Sequence, residues 1–161
     1  MKKTEGAGRS IMIADKYFRL YLKDSLVPYE LNAAEGVVLH MMYMKYSDTM
    51  NEKNTGSLFH GNTQDELIKE IHFDKGVMTR TMKSLEDKGF VERSQNPSDS
   101  RSFLFCFTEK GIKFRDVLMN IFVRWNSIIT EGIDEKDIPV ISAALEKMAA
   151  NAALFYFENS Q

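Results

Sequence analysis

The chain has 161 residues, of which 43% are hydrophobic, and this is enough to fill the core of one domain of ordinary size. Its formal net charge of −2 excludes a basic surface over the whole protein, so any binding to nucleic acid depends on where the cations cluster. A single cysteine excludes an intrachain disulfide framework, and residues 1–10 lack the apolar segment of a secretory signal, so we expect a cytoplasmic protein.

Two helices are predicted in the first part of the chain. Apolar residues recur at helical spacing over Ile11–Leu26, and Pro28 limits that helix. Asn32 and Glu35 have the spacing of a capping box, in which each side chain bonds the backbone amide of the other residue. This box predicts a second helix over Asn32–Tyr46.

The polar segment 47–62 is long for a connection inside a compact domain, where links of about 4 to 6 residues are common. A connection of this length and polarity is either mobile or functional. We expect Ser57–His60 to add a short strand within it.

A closely spaced pair of helices follows this segment. Thr63 and Glu66 form a second capping box that predicts a third helix from Thr63, and Asp74 supplies a side-chain cap for a fourth. Lys88 supplies the cation expected at the C-terminal end of that fourth helix, and Gly89 supplies the residue that ends it in the left-handed conformation. Two helices joined by so tight a turn are typical of a helix-turn-helix, whose second helix enters the major groove of DNA.

A β-hairpin is predicted next. Phe90–Arg93 and Arg101–Phe107 have the composition of strands, and the segment between them is rich in turn-forming residues, so together they form a wing. The strand period of two puts Phe103, Phe105 and Phe107 on one side, which we expect to face the core.

Asp99 lies two residues before Arg101 in this wing. At that spacing we expect the carboxylate to hold the guanidinium group of the arginine. An arginine oriented in this way can enter the minor groove, so the wing adds a second candidate DNA contact to the helix pair.

Two further helices complete the prediction. Thr108 caps a long fifth helix that Gly132 ends, and Asp134 restarts the helical pattern. The long terminal helices carry more apolar surface than a small winged domain covers, so we expect a homodimer on a palindromic site with recognition helices about 34 to 36 Å apart. Apolar stretches such as 37–44 and 149–157 are shorter than the ~20 residues that cross a bilayer, which predicts no membrane role.

Several motifs follow one another in order through the centre of the chain. They are Thr79-Arg80, Leu85-Glu86-x-Lys88-Gly89, Val91-Glu92-Arg93, Asp99-x-Arg101 and Phe107-Thr108-Glu109-Lys110-Gly111. Together they resemble the MarR family of bacterial transcriptional regulators, although Ser100 stands where family members often carry another basic residue. The resemblance implies a mainly α fold with a small β-hairpin wing (α+β). It also implies a winged helix-turn-helix over 31–111 and a helical dimerisation region over 1–30 and 112–161.

We expect contacts with double-stranded DNA from the helix pair and the wing. Thr63 is assigned to phosphate, Arg80 to guanine in the major groove and Arg101 to the minor groove. Arg93 is a candidate backbone contact, and Gly76 allows the DNA to approach closely. The alternative to DNA binding is a structural role, in which the lysines form a solvated helix face and Thr63 only caps its helix. The complete predicted set is Thr63, Lys75, Gly76, Thr79, Arg80, Lys83, Arg93 and Arg101.

The resemblance also implies a small effector, often an aromatic or phenolic acid, whose binding releases a repressor from DNA. Residues with an aromatic body and a polar tip suit such a ligand. The candidates are Tyr17, Tyr21, Tyr43, Tyr46 and Trp125. Packing in the core is the alternative for all of them.

Two alternative functions stay open at this point. Cys106 offers thiol-based redox sensing, although relatives that sense peroxide use a cysteine near the first helices. The acidic charge balance is compatible with a winged-helix protein-interaction module without specific DNA binding. No enzyme is predicted, because phosphate-loop and nucleophile motifs are absent, and no metal or other cofactor, because His40, His60, His72 and Cys106 lack tight ligand spacing.

Overall fold

The computed structural model describes residues 5–51, 61–71 and 73–158. Its elements are α1 (Glu5–Leu26), a 3-10 helix (Val27–Tyr29), α2 (Ala33–Asn51), β1 (Asn62–Thr63), α3 (Gln64–Ile71), α4 (Lys75–Asp87), β2 (Val91–Gln95), β3 (Phe103–Phe107), α5 (Glu109–Ile129) and α6 (Ile138–Glu158). The predicted mainly helical protein with a small β wing is confirmed. The predicted strand at Ser57–His60 and the side chain of Tyr46 lie outside the described residues.

The chain divides into two compact units between Val123 and Arg124. The first unit contains α1 to α4, the three strands and the first part of α5, and the second contains the end of α5 and α6. Because α5 is one continuous helix, it runs through residue 112, where the sequence places the start of a dimerisation region.

Side-chain caps set the starts of three helices. The amide of Asn32 donates to Glu35 at 2.7 Å, and the amide of Glu35 donates to the Asn32 side chain at 3.0 Å. In the same way, the amide of Thr63 donates to the Glu66 carboxylate at 2.8 Å, and the amide of Glu66 donates to the Thr63 hydroxyl oxygen at 3.2 Å. Asp74 accepts hydrogen bonds from two amides of the first turn of α4. Both predicted capping boxes and the Asp74 cap are therefore confirmed.

The wing is part of a three-stranded antiparallel sheet with the order β1-β3-β2. Phe105 pairs with Arg93 on β2 and with Asn62 on β1, a strand that the sequence did not predict. Phe105 and Phe107 are buried as predicted, but Phe103 is 44% exposed. The prediction for Phe103 is wrong because this residue begins β3 next to the hairpin turn, where the wing extends beyond the core.

One hydrophobic core in the first unit fixes the orientation of α4. The apolar face of this helix contributes Met78, Met82 and Leu85, which recur at helical spacing and are each at most 1% exposed. Gly89, with φ 72°, takes the left-handed conformation that ends the helix, also as predicted. The polar face of α4, which carries the predicted DNA contacts, therefore points to solvent.

α6 forms most of the second unit. It begins at Ile138 rather than at Asp134, because Asp134 lies in a turn and accepts a hydrogen bond from the amide of Lys136 at 3.1 Å. The segment Ile138–Tyr156 has a mean hydropathy of 1.3, and none of it is buried. By length and composition alone this helix is long enough to cross a membrane, whereas the uninterrupted apolar stretch 149–157 within it is shorter. This is weak evidence for a membrane helix, because apolar helices of soluble proteins pass the same test.

Candidate nucleic-acid interface

The exposed face of α4 brings together four of the predicted DNA contacts. Spacings of three or four residues place their side chains on one side of the helix, and all four are exposed to solvent. They are Lys75, Thr79, Arg80 and Lys83. A helix with its apolar face buried and a cationic face exposed has the arrangement that the major groove accepts.

Gln64 connects this face to the start of α3. Its side-chain amide donates to the hydroxyl oxygen of Thr79 at 2.6 Å, and that hydroxyl group in turn donates to the carbonyl oxygen of Lys75 at 2.8 Å. Gln64 could not be identified from the sequence, because its contact joins residues 15 positions apart and no local spacing signals it. The two helices of the pair are thus linked on their exposed side.

Gly76 lies beside Arg80 in the first turn of α4. A Cβ atom at this position would stand 3.5 Å from Nη1 of Arg80 and 3.0 Å from Oδ1 of Asp74. Glycine therefore leaves room for the Asp74 carboxylate that caps the helix, whereas the distance to the guanidinium group is that of an ordinary van der Waals contact. This is a second role for Gly76, in addition to the close approach of DNA that the sequence predicts.

A cleft of about 230 Å³ lies between the start of α3 and the wing. Thr63 lines it together with three exposed cationic residues, Lys75, Arg93 and Arg101. The N-terminus of a helix and nearby cations both favour an anionic group such as a phosphate. Asp65 also lines the cleft and offsets part of this positive charge. The cleft gathers four of the eight predicted DNA contacts into one place.

Arg93 is held at the wall of this cleft. The central carbon of its guanidinium group lies 4.5 Å from the ring centroid of Phe103, and its Nε lies 3.7 Å from a carboxylate oxygen of Glu86. A guanidinium group stacks favourably on an aromatic face because of the negative charge of the ring face. Phe103, which the sequence assigns to the core, instead orients a cation.

The wing turn presents Arg101 to solvent. Asp99 accepts a hydrogen bond from the backbone amide of Arg101 at 3.0 Å, so it fixes the backbone and not, as predicted, the guanidinium group. Asn96 closes the turn by bonding Ser102 through both its backbone amide, at 3.1 Å, and its side-chain amide, at 2.9 Å. Asp99 is thus the predicted partner of Arg101, but it contacts the backbone of this arginine and not its side chain.

The aromatic residues predicted for an effector lie in different environments. Tyr43 is 1% exposed in the core, its hydroxyl group donates to a carbonyl oxygen of α5 at 2.5 Å, and burial raises its pKa. Tyr21 also donates its hydroxyl to a carbonyl of α5, at 3.0 Å, whereas Tyr17 is 56% exposed. Trp125 belongs to the second unit. Two clefts of about 690 and 640 Å³ in the first unit are lined by other residues.

Cys106 is half-buried on β3. A Cβ atom added to Gly61 would lie 2.6 Å from its sulfur, so the chain next to β1 covers the thiol closely. Burial raises the pKa of the Cys106 thiol, which keeps it protonated. A redox-sensing cysteine needs the opposite environment, exposed and with a lowered pKa.

Comparisons with known proteins point to one family. Residues 60–103 match the model of the MarR family. The chain is 31% identical over 122 residues to the HTH-type transcriptional regulator BilQ of Clostridioides difficile (strain CD3), an alignment that covers 76% of this chain and 73% of that protein.

Solved structures share the fold. A MarR transcriptional regulator from Methanosarcina mazei Go1 aligns over 94% of this chain and 99% of that chain, with 25% identity and a TM-score of 0.79. A MarR-family regulator from Listeria monocytogenes, solved in complex with a 26-mer DNA, covers 100% and 98% of the two chains with 20% identity and a TM-score of 0.80.

Proposed function

The chain belongs to the MarR family of transcriptional regulators, and we propose that it is a homodimeric repressor of a palindromic DNA operator. The observation that carries this proposal is the exposure, side by side, of the polar face of α4 and of the cationic cleft between α3 and the wing. Such a helix fits the major groove, while the cations of the cleft neutralise phosphates. We place this repressor in the cytoplasm, where its operator lies.

We assign the predicted contacts to separate roles on DNA. Arg80 reads guanine, because its planar group matches the two acceptors of that base, a pairing worth about 1 to 3 kcal/mol of discrimination. Lys83 binds phosphate and adds affinity without sequence preference. Arg101 enters the minor groove from the wing turn, and the cleft formed with Thr63 and Arg93 receives a phosphate.

Exposed apolar side chains support the dimer. On α1 they include Met12, 68% exposed, and Tyr17, 56% exposed. On α6 they include Val140, Leu154 and Phe155, between 59% and 71% exposed. Monomeric soluble proteins rarely expose apolar surface on this scale, so we assign both terminal helices to the contact between two copies of the chain. Two-fold symmetry then presents two recognition helices to a palindrome.

A small aromatic effector would complete the regulation. It relieves repression only if it binds more tightly to the conformation that does not fit DNA, because a ligand with equal affinity for both conformations shifts no equilibrium. Screening aromatic acids for a rise in melting temperature, followed by titration of the protein–DNA complex, tests this part of the proposal. Compounds that stabilise the protein without releasing DNA would contradict it.

The deciding experiment is selection of bound duplexes from a random DNA pool, followed by salt titration of the selected site. We expect a palindrome with half-sites one helical turn apart and an affinity that falls steeply with salt. The Arg80→Ala dimer, carried through the same selection, should lose preference at one base pair of each half-site. No enrichment at low salt would instead favour a winged-helix module that binds protein.

The oligomeric state is measured separately by sedimentation equilibrium. Leu145→Lys on α6 should shift the protein towards monomer and weaken binding to the palindrome. Glu146→Lys introduces the same side chain at an exposed position on the side of α6 opposite Phe155 and is the control. A wild-type protein that sediments as a monomer at micromolar concentration would contradict the homodimer.

A further inference from the structure

The hydroxyl group of Thr79 has no proton left for DNA. That proton is donated to the carbonyl oxygen of Lys75 at 2.8 Å, and the hydroxyl oxygen accepts a hydrogen bond from Gln64 at 2.6 Å. A hydroxyl group has one proton and two lone pairs, so a single lone pair remains. Thr79 therefore cannot donate to a phosphate or to an acceptor on a base edge while these bonds last.

Apart from this hydroxyl group, the side chain of Thr79 consists of a methyl group, and the residue is exposed to solvent on the polar face of α4. In the major groove, thymine differs from the other bases by its C5 methyl group, and a threonine methyl makes an apolar contact with it. We propose that Thr79 recognises a thymine in each half-site through contact between the two methyl groups, and that Gln64 is the positioning residue that holds the Thr79 hydroxyl turned back onto the helix. This inference rests on the proposed DNA-binding function and adds the identity of one base to it.

The location of Gln64 links base recognition to the position of the protein on the DNA backbone. Gln64 is the first residue of α3 and lines the cationic cleft that we assign to a phosphate. Its amide reaches from that cleft to the reading face of α4. A phosphate seated in the cleft thus lies next to the residue that orients Thr79.

Replacement of thymine by uracil tests the contact directly, because uracil lacks only the C5 methyl group. In the selected operator, each thymine is replaced in turn in both half-sites, and Kd is measured by fluorescence anisotropy. At one position per half-site we expect the wild-type dimer to bind the uracil duplex roughly tenfold more weakly than the thymine duplex. This is the change expected when one buried methyl group is removed from each half-site.

Variants separate the two roles. Thr79→Ser keeps the hydroxyl group but removes the methyl group, so it should bind the thymine and uracil duplexes equally, whereas Thr79→Val should retain the preference. Gln64→Ala should reduce the preference, because the hydroxyl group loses the amide that holds it. Lys69→Ala, at an exposed position of α3 that does not line the cleft, is the matched control and should leave the preference unchanged.

Equal binding of every thymine and uracil pair by the wild-type dimer would overturn the inference, and so would an undiminished preference in Thr79→Ser. An undiminished preference in Gln64→Ala would overturn the role of Gln64. Failure to select any site is a different result, which would overturn the proposed function and this inference with it.

Discussion

The side-chain nitrogen of Lys88 lies 2.7 and 2.8 Å from the two carboxylate oxygens of Glu35. Glu35, in the first turn of α2, is 0% exposed, and Lys88 directly follows the last residue of α4. The same carboxylate accepts the amide of Asn32 that caps α2. One buried group therefore ties the start of α2 to the end of the helix that we assign to the major groove.

Lys88→Met should destabilise the protein, because it leaves the Glu35 carboxylate buried without its cation. We expect a loss of about 1 to 3 kcal/mol, less than the roughly 3 to 5 kcal/mol of a fully buried pair, because 31% of the Lys88 side chain reaches solvent. Urea unfolding measures the change. Lys83→Met, on the exposed face of α4, is the control and should stay within about 0.5 kcal/mol of the wild type. Equal losses in the two variants would contradict a specific role for the pair.

Features that depend on neighbouring residues could be predicted from the sequence. The capping boxes at Asn32 and Thr63 need partners three positions away, so residue type and spacing identify them. The buried face of α4 likewise follows from the helical period. These local rules were sufficient to predict the helix pair, the wing and the face that carries the predicted DNA contacts.

Features that depend on tertiary contacts could not be predicted in this way. Glu35 and Lys88 are 53 positions apart and meet only after α2 and α4 have packed. Gln64 carries no local signal for its contact with Thr79. The period of two placed Phe103 on the correct side of β3, but it contains no information on where the core ends along the strand.

Phe103→Leu should weaken binding to DNA. The substitution removes the ring on which the guanidinium group of Arg93 stacks at 4.5 Å, a contact worth about 0.5 to 1 kcal/mol at an exposed site. Because both protomers of the dimer lose this contact, we expect a rise in Kd of roughly five- to thirtyfold. Phe103→Tyr keeps an aromatic ring and should bind as the wild type does. If both variants bind equally well, Arg93 does not depend on the stack.

Gly111→Ala should disrupt the packing of α5 against the wing. A Cβ atom there would collide with the carbonyl oxygen of Phe90 and lie 3.1 Å from the ring of Phe107. We expect a loss of about 1 to 3 kcal/mol, measured by urea unfolding. Gly8→Ala in α1 is the control, because its Cβ atom meets nothing within 4 Å and alanine is the better helix former, by up to about 1 kcal/mol. A neutral effect at Gly111 would show that Phe90 moves aside freely.

His40 should make stability depend on pH. Its ring stacks on Phe122 with centroids 3.7 Å apart, and burial lowers its pKa in the folded protein. As pH falls, the unfolded chain therefore binds the proton at a higher pH than the folded protein does. The contribution of neutral His40 to the free energy of unfolding is complete above the unfolded pKa of about 6.5 and is lost as pH falls towards the folded pKa. His40→Phe keeps an aromatic ring without a titrating group. The free energy of unfolding of the wild type should fall relative to this variant between pH 7.5 and 5, and a constant difference would contradict the assignment.

Oxidation at Cys106 should leave DNA binding unchanged. Burial raises the pKa of this thiol, so at neutral pH almost none of it is the thiolate that reacts with peroxide. The rate of alkylation by iodoacetamide should therefore rise only at a higher pH than the rate for free cysteine. Treatment with hydrogen peroxide, followed by titration of the selected operator, should give the Kd of the untreated protein. A loss of affinity that occurs in the wild type and is absent in Cys106→Ser would contradict this expectation, because it would show that opening of the sheet beside Gly61 exposes a reactive sulfur.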